Sequence, residues 1–167
     1  LARILFRDAS ETGGGTLLVN GQRLPLHAVT PGATERWRIL NATADRYLRL
    51  ALDGHRFTVV GTDGGLLAEP LAGLSEWLLA PAQRVEIVMT VAAQQSSRYT
   101  LRDLGYAGGM TGGAGDGLMT IETGRVPAQA PIALPATLRP IADLGPASAR
   151  QQVVLSTGRM GMMGPFL

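Results

Sequence analysis

Two histidines, His27 and His55, are the side chains of this sequence best suited to acid–base or metal chemistry. An imidazole exchanges protons near neutral pH and binds transition metals through either ring nitrogen. The sequence contains no Cys, which excludes thiolate nucleophiles, disulfides and every cysteine-containing metal site. It also lacks a G-x-S-x-G segment, which argues against a serine-hydrolase triad. We therefore expect both histidines to pack or form hydrogen bonds at partly exposed positions, and we predict no catalytic or cofactor-binding residue.

A second group with ligand chemistry is a methionine cluster formed by Met160, Met162 and Met163. Thioether sulfur is a soft ligand that suits Cu(I), so these residues are candidates for weak Cu(I) binding. The alternative is a flexible apolar connector, because Met is unbranched and the cluster is interspersed with glycine. The sequence predicts no complete metal site.

Two further patterns imitate known sites. The glycine-rich segment 108–117 has neither the G-x-G-x-x-G nor the Walker spacing, and the sequence has no Lys, so we interpret it as a mobile loop. The triplet Asn41–Thr43 has the form of a glycosylation acceptor, but a turn-forming Asn at a strand end explains it without glycans. Paired catalytic carboxylates are not indicated, because Asp53 and Asp63 lie in glycine turns, where Asp supports the backbone.

The charge pattern argues against nucleic-acid binding. All 15 basic residues are Arg, and with 13 acidic residues the formal net charge is only +2. The arginines are scattered from Arg3 to Arg159, whereas a nucleic-acid surface concentrates them in a patch or stripe. No apolar run approaches the roughly 18 residues of a membrane span. With 46% hydrophobic residues, the 167-residue chain can bury a core.

Apolar residues recur at every second position, which predicts an almost entirely β chain. Gly, Asn, Asp and Pro turn signals separate nine expected strands. These strands cover residues 4–7, 16–19, 35–40, 47–52, 56–60, 76–79, 84–91, 99–102 and 118–122. Short strands with frequent turns are typical of a sandwich or barrel.

Several residues are predicted to hold this fold together rather than to catalyse. Trp37 alternates with two arginines and is expected to anchor the core. Asn20-Gly21 and Asp63-Gly64-Gly65 are expected to supply turn positions with positive φ. Arg84 opens a strand after a turn, where it can bridge turn carbonyls or a carboxylate. The predicted structural residues are Asn20, Gly21, Trp37, Asn41, Asp63, Gly64 and Arg84.

The sequence changes character after residue 125, which divides the chain into residues 1–125, 126–149 and 150–167. Residues 126–149 carry five prolines among small apolar residues, as an extended, semi-rigid linker on a surface does. A last strand signal at Gln151–Ser156 has no sheet partner in the sequence, so 150–167 is expected to begin a truncated domain. This strand is predicted to be disordered or to pair with an exposed edge of this or a neighbouring copy, giving a homo-oligomer.

Four segments, in order, carry a family resemblance. They are Leu17–Gln22 with Pro25, Gly32 with Arg36–Ala42 and Arg46, Val59–Leu66 with Pro70, and Leu79–Ile87. Their order and spacing resemble the second, middle domain of bacterial laccase-like multicopper oxidases, which include copper-efflux (cuprous) oxidases. The resemblance covers residues 1–125 and implies a cupredoxin-like Greek-key β-sandwich or barrel. Gln152–Met163 is similar to the first strand of the third domain and the Met-bearing stretch after it.

The resemblance also implies where the chemistry of such an oxidase lies. In the family, a blue copper held by two His, one Cys and a weak axial ligand lies in the third domain. A cluster of three coppers with His ligands lies between the first and third domains. This sequence has neither an H-x-H pair nor an H-C-H segment. The resemblance therefore implies that the chain binds no copper cofactor itself, although its parent protein does.

The implied function is that of a copper-free central scaffold, inactive alone, which holds the first and third cupredoxin domains in register. The parent would couple one-electron oxidation of a substrate to reduction of dioxygen to water. The alternative is part of a copper-less multicopper-oxidase homologue that acts as a periplasmic scaffold protein. A third possibility, an independent ligand-binding sandwich, is disfavoured because aromatic residues make up only 5% of the chain. The family implies a periplasmic or secreted location.

Overall fold

Two packed β-sheets form the part of the chain that the computed structural model describes, which is residues 2–8, 16–106 and 116–154. These ranges contain eleven strands and no helix, so the predicted all-β sandwich is confirmed. The strands are β1 (Ala2–Asp8), β2 (Leu17–Val19), β3 (Leu26–Val29), β4 (Thr34–Asn41), β5 (Leu48–Leu52), β6 (Phe57–Thr62), β7 (Gly65–Leu74), β8 (Trp77–Leu79), β9 (Arg84–Thr90), β10 (Arg98–Asp103) and β11 (Asp116–Thr123).

The strand order mixes local and distant pairings. One sheet has six strands in the order β2-β1-β4-β9-β6-β7, and the other has five in the order β3-β11-β10-β5-β8. Strands β1 and β4 pair in parallel, as do β11 and β3, while the other pairs are antiparallel. Neighbouring strands that are distant in sequence require connections across the ends of the sandwich, as in Greek-key folds.

The core lies between the two sheets and follows the period-two pattern of the sequence. Trp37 on β4 is fully buried and contributes the largest side chain of the core. The two apolar triplets of β5 and β9 also face inward, which places alternate residues of each strand on the core side: Leu48, Leu50, Leu52, Val85, Ile87 and Met89.

Two strands, β3 and β7, were absent from the sequence prediction. Strand β3 is short and follows Pro25, and its first residue, Leu26, is exposed, so it shows no clean alternation. Strand β7 contains Pro70, which usually argues against a strand because Pro cannot donate a ladder hydrogen bond. Among the described strands, however, β7 lies at the edge of the six-stranded sheet with a neighbour on one side only, and Pro is tolerated there.

Candidate functional site

His55 has both ring nitrogens engaged by the backbone. Its Nδ1 donates to the carbonyl oxygen of Asp53 at 2.6 Å, and its Nε2 accepts the amide hydrogen of Ala92 at 3.0 Å. The ring also meets Tyr99 edge-on, with centroids 4.5 Å apart. The side chain is buried, more than the sequence indicated. Because neither nitrogen has a lone pair left for a metal, His55 serves as a link between two loops.

His27 forms a small polar cluster between the two sheets. Its Nε2 lies 2.8 Å from Oε2 of Glu35, and the same oxygen accepts the indole N–H of Trp37 at 2.7 Å. His27 belongs to the five-stranded sheet and Glu35 to the six-stranded sheet, so the contact joins the two layers. This hydrogen bond between the two side chains raises the pKa of His27 and lowers the pKa of Glu35. Each shift outweighs the opposing effect of burial.

In the described part of the chain, neither histidine lies in a group of three or more potential metal ligands. Within residues 2–8, 16–106 and 116–154, no three His, Cys, Asp or Glu side chains are grouped so that they could hold a metal ion. Met160, Met162 and Met163 lie outside the described residues, as does most of the glycine-rich segment. The last two residues of that segment, Asp116 and Gly117, begin β11.

Asn41 is the most highly connected polar side chain of the core. Asn41 is fully buried at the end of β4. Its Nδ2 donates to the carbonyl oxygens of Arg46 (2.8 Å) and Leu79 (3.0 Å). Its Oδ1 accepts the backbone amide (3.2 Å) and hydroxyl (2.7 Å) of Thr43. Asn41 thereby ties its own strand to β8 of the opposite sheet. A glycan cannot be attached to this folded side chain, because it is enclosed.

Asp63 and Arg84 meet at the surface, at the ends of two neighbouring strands. Oδ1 and Oδ2 of Asp63 accept the backbone amide of Arg84 at 3.1 and 3.2 Å, and Nε of Arg84 donates to Oδ1 at 2.8 Å. The bonds from Arg84 hold the pKa of Asp63 below its usual range. A similar two-pronged pair joins Asp53 and Arg102, at 2.8 and 2.9 Å, and lowers the pKa of Asp53.

Asn20 and Gly21 form the turn that closes strand β2. Both have positive φ, 52° and 79°, as expected. In the second predicted turn the positive φ, 100°, is at Gly65, the first residue of β7, rather than at Gly64. The side chain of Asn20 reaches β1: its Oδ1 accepts the amide of Leu5 at 2.7 Å, and its Nδ2 donates to the carbonyl oxygen of Arg3 at 2.8 Å.

Sequence reasoning missed two acidic residues of structural importance. Glu35 was placed in a strand without a role, and its partner His27 comes from the opposite sheet. Asp103 is buried, and its Oδ1 accepts the amides of Arg49 and Gly105, each at 3.0 Å. The Gly105 contact of Asp103 is local, but its contact with Arg49 and the pairing of Glu35 with His27 depend on the folded chain and have no local sequence signal.

Comparison with known families identifies what this sandwich is similar to. A family model described as multicopper oxidase matches residues 4–122. The cell division protein FtsP of Photorhabdus laumondii is 39% identical over 92 residues, which is 53% of this chain and 19% of that protein. The laccase of Bacillus subtilis is 37% identical over 97 residues, 58% of this chain and 18% of that protein. The chain thus spans about a fifth of the length of the curated relatives it matches.

Solved structures agree with these matches. The McoA multicopper oxidase of Aquifex aeolicus superposes with a TM-score of 0.74 at 25% identity, over 85% of this chain and 35% of that chain. A multicopper oxidase of Campylobacter jejuni, described as a metallo-oxidase, gives a TM-score of 0.67 at 27% identity, over 84% of this chain and 32% of that chain. The sandwich described above therefore corresponds to about one third of each solved chain.

Proposed function

Because this chain belongs to the multicopper oxidase family, we propose that it is a copper-free scaffold unit of a larger family protein. Its role is to hold the first and third cupredoxin domains of that protein in register. The whole protein couples one-electron oxidation of a substrate to the reduction of dioxygen to water. The unit itself contributes surface and rigidity, and its own residues carry no redox step.

The small number of possible copper ligands in this chain is the observation that carries this proposal. A blue copper site needs two imidazoles and a thiolate, and a cluster of several coppers needs many imidazoles. The sequence has no Cys and only two His. His55 uses both ring nitrogens in backbone hydrogen bonds, and His27 uses Nε2 on Glu35. The residues of this chain therefore do not fit either kind of copper site.

The partner proposal is supported by apolar side chains exposed after the last strand. Ile132, Ile141 and Leu144 are 70%, 59% and 96% exposed. Such side chains are suited to contact with neighbouring domains.

We place the parent in the periplasm or outside the cell, by analogy with its family. No helix among residues 2–8, 16–106 and 116–154 is long and apolar enough to cross a membrane.

Copper retention by the purified chain tests the copper-free role. After incubation with Cu(II) and dialysis, we expect well below one copper per chain, no blue absorption band and no oxygen uptake with a phenolic substrate. Stoichiometric copper with a blue colour, or turnover above a buffer control, would overturn the proposal. A triple variant, Met160→Leu with Met162→Leu and Met163→Leu, assayed with Cu(I) under reducing conditions, separates weak thioether binding from binding by histidine.

A second candidate function is supported by the similarity to FtsP, which is described as a cell division protein. In this alternative the chain is part of a copper-less homologue that acts as a periplasmic scaffold protein. The flanking sequence of the parent distinguishes the two functions. An H-C-H segment downstream favours the oxidase, whereas the absence of copper-ligand motifs on both sides favours the scaffold protein.

A further inference from the structure

The segment that follows the last strand is in contact with the sandwich at several points. The amide of Gln129 donates to the carbonyl oxygen of Pro31 at 2.8 Å, and that of Ile132 donates to Oγ1 of Thr34 at 2.9 Å. Farther along, the amide of Leu138 donates to the carbonyl oxygen of Ala68 on β7 at 2.8 Å. Three amides spread over ten residues therefore have fixed partners.

These contacts define a path across the outer face of the six-stranded sheet. On β4, Trp37 and Glu35 point between the sheets, so Thr34 points outward. Ala68 lies on the edge strand β7, and strands β9 and β6 lie between β4 and β7. Three strand spacings amount to roughly 14 Å, which six extended residues can span. The segment from Ile132 to Leu138 therefore crosses above β9 and β6.

Buried side chains beneath this path support the crossing. Val88 on β9 and Val60 on β6 are only 9% and 3% exposed, yet neither belongs to the core cluster between the sheets. Val88 alternates with the inward-facing Ile87 and Met89, so it points outward. An outward-facing Val is buried only if something covers it. Among residues 126–154, Leu138 is the one whose burial is intermediate, and all the others are exposed.

Gly32 is shaped to receive this segment. Its φ is +73°, and a Cβ built at this position would overlap the carbonyl oxygen of Gln129 and lie 3.2 Å from its nitrogen. Only glycine satisfies both conditions, because any other residue adds strain at positive φ and pushes against the backbone of Gln129. Gly54 has a similar φ of +68°, but a Cβ there meets nothing within 4 Å.

We infer that residues 126–139 form a strap docked on the outer face of the six-stranded sheet, with Gly32 as its docking notch and Leu138 as the cover over Val60 and Val88. The strap is part of the folded unit rather than a free linker. It fixes, at the β7 edge, the point from which the following residues leave the sandwich.

Hydrogen exchange of backbone amides in the full chain tests the strap. In the unaltered chain the amides of Gln129, Ile132 and Leu138 should exchange at least about tenfold more slowly than in an unstructured peptide. Gly32→Ala should bring the Gln129 and Ile132 amides towards the unstructured rate, while Gly54→Ala, with equal backbone strain, should leave them unchanged. Unprotected amides in the unaltered chain, or equal effects of the two variants, would overturn the inference.

A second pair of variants covers the case in which Gly32→Ala prevents folding. Thr34→Val removes the acceptor of the Ile132 amide, and Thr90→Val removes only the hydroxyl 3.2 Å from Thr34 Oγ1. In Thr34→Val the Ile132 amide loses this hydrogen bond, and we expect it to exchange about fivefold faster than in the unaltered chain. In Thr90→Val its exchange rate should stay within about twofold of that in the unaltered chain. Equal rates in both variants contradict docking at Thr34.

Discussion

Asn20 and Asn41 use the same chemistry in two opposite settings. Each amide side chain acts as donor and acceptor towards backbone groups of another part of the chain. Asn20 is exposed and joins a turn to β1, whereas Asn41 is fully buried and joins the two sheets. Water can replace the partners of Asn20 when its bonds break, but nothing replaces those of Asn41. Burial, rather than the number of bonds, should therefore decide how much each residue stabilises the fold.

Asn41→Asp should have the largest effect. The change keeps the shape and the acceptor for Thr43, but it replaces the Nδ2 donor by an oxygen that faces the carbonyl oxygens of Arg46 and Leu79. We expect a loss of about 3 kcal/mol in the free energy of unfolding, because buried acceptors lose their donor beside a carboxyl group. Urea unfolding followed by Trp fluorescence measures it. A loss below about 1 kcal/mol would contradict the idea that burial decides.

Asn20→Asp makes the identical change at the surface and serves as the matched control. It removes the donor to the Arg3 carbonyl oxygen and keeps the acceptor for the Leu5 amide. Solvent can hydrate the freed groups, so we expect a loss of about 1 kcal/mol or less. If this loss equalled that of Asn41→Asp in the same urea experiment, exposure would have no bearing on the energy.

The two asparagines also show how far sequence reasoning reaches. The turn at Asn20-Gly21 is a local signal, since both residues adopt positive φ readily, and it was found. Asn41 was predicted to be a structural residue at a strand end, but its partners were not predicted. Its partner Leu79 is 38 residues away on the opposite sheet, and no local pattern points to it. Alternation predicted nine strands because it is a property of neighbouring residues, but it missed β3 and β7, whose exposed edges relax that pattern.

The link between His27 and Glu35 is an intermediate case, half-buried and charged, and it makes the comparison dependent on pH. Because the contact with Glu35 raises the pKa of His27, it stabilises the fold at pH values below the usual pKa of 6.5, and this stabilisation is lost as the pH rises through the pKa of the folded state. The lowered pKa of Glu35 stabilises the fold above the usual 4.5, and this is lost as pH falls. The pair should therefore contribute most between these two values, by about 0.5–1 kcal/mol.

Glu35→Gln tests this contribution. The variant retains an acceptor for Trp37 but removes the carboxylate that favours protonated His27. The unfolding of the unaltered chain and of the variant is measured from pH 4.5 to pH 8. We expect the stability difference to shrink as the pH rises from 6.5 through the raised pKa of folded His27, because the histidine loses its proton first in the unfolded and then in the folded chain. A difference that stays constant over this range would show that His27 does not titrate against Glu35.

The exposed Asp63–Arg84 pair should show the smallest effect. Arg84 and Asp63 side chains are 66% and 41% exposed, so water and salt screen their attraction. Arg84→Ala removes the Nε contact but keeps the backbone amide that also donates to Asp63. We expect a loss of about 0.3–0.5 kcal/mol.

Because the pKa of Asp63 is lowered, this contribution is present above the usual 3.8 and disappears as the pH falls through the folded value. Urea midpoints at pH 7 in low and in 1 M salt measure it, with Asp63→Ala and the double variant completing a cycle. An unchanged midpoint for Arg84→Ala would remove Arg84 from the residues that stabilise the fold, and a loss near that of Asn41→Asp would reverse the comparison.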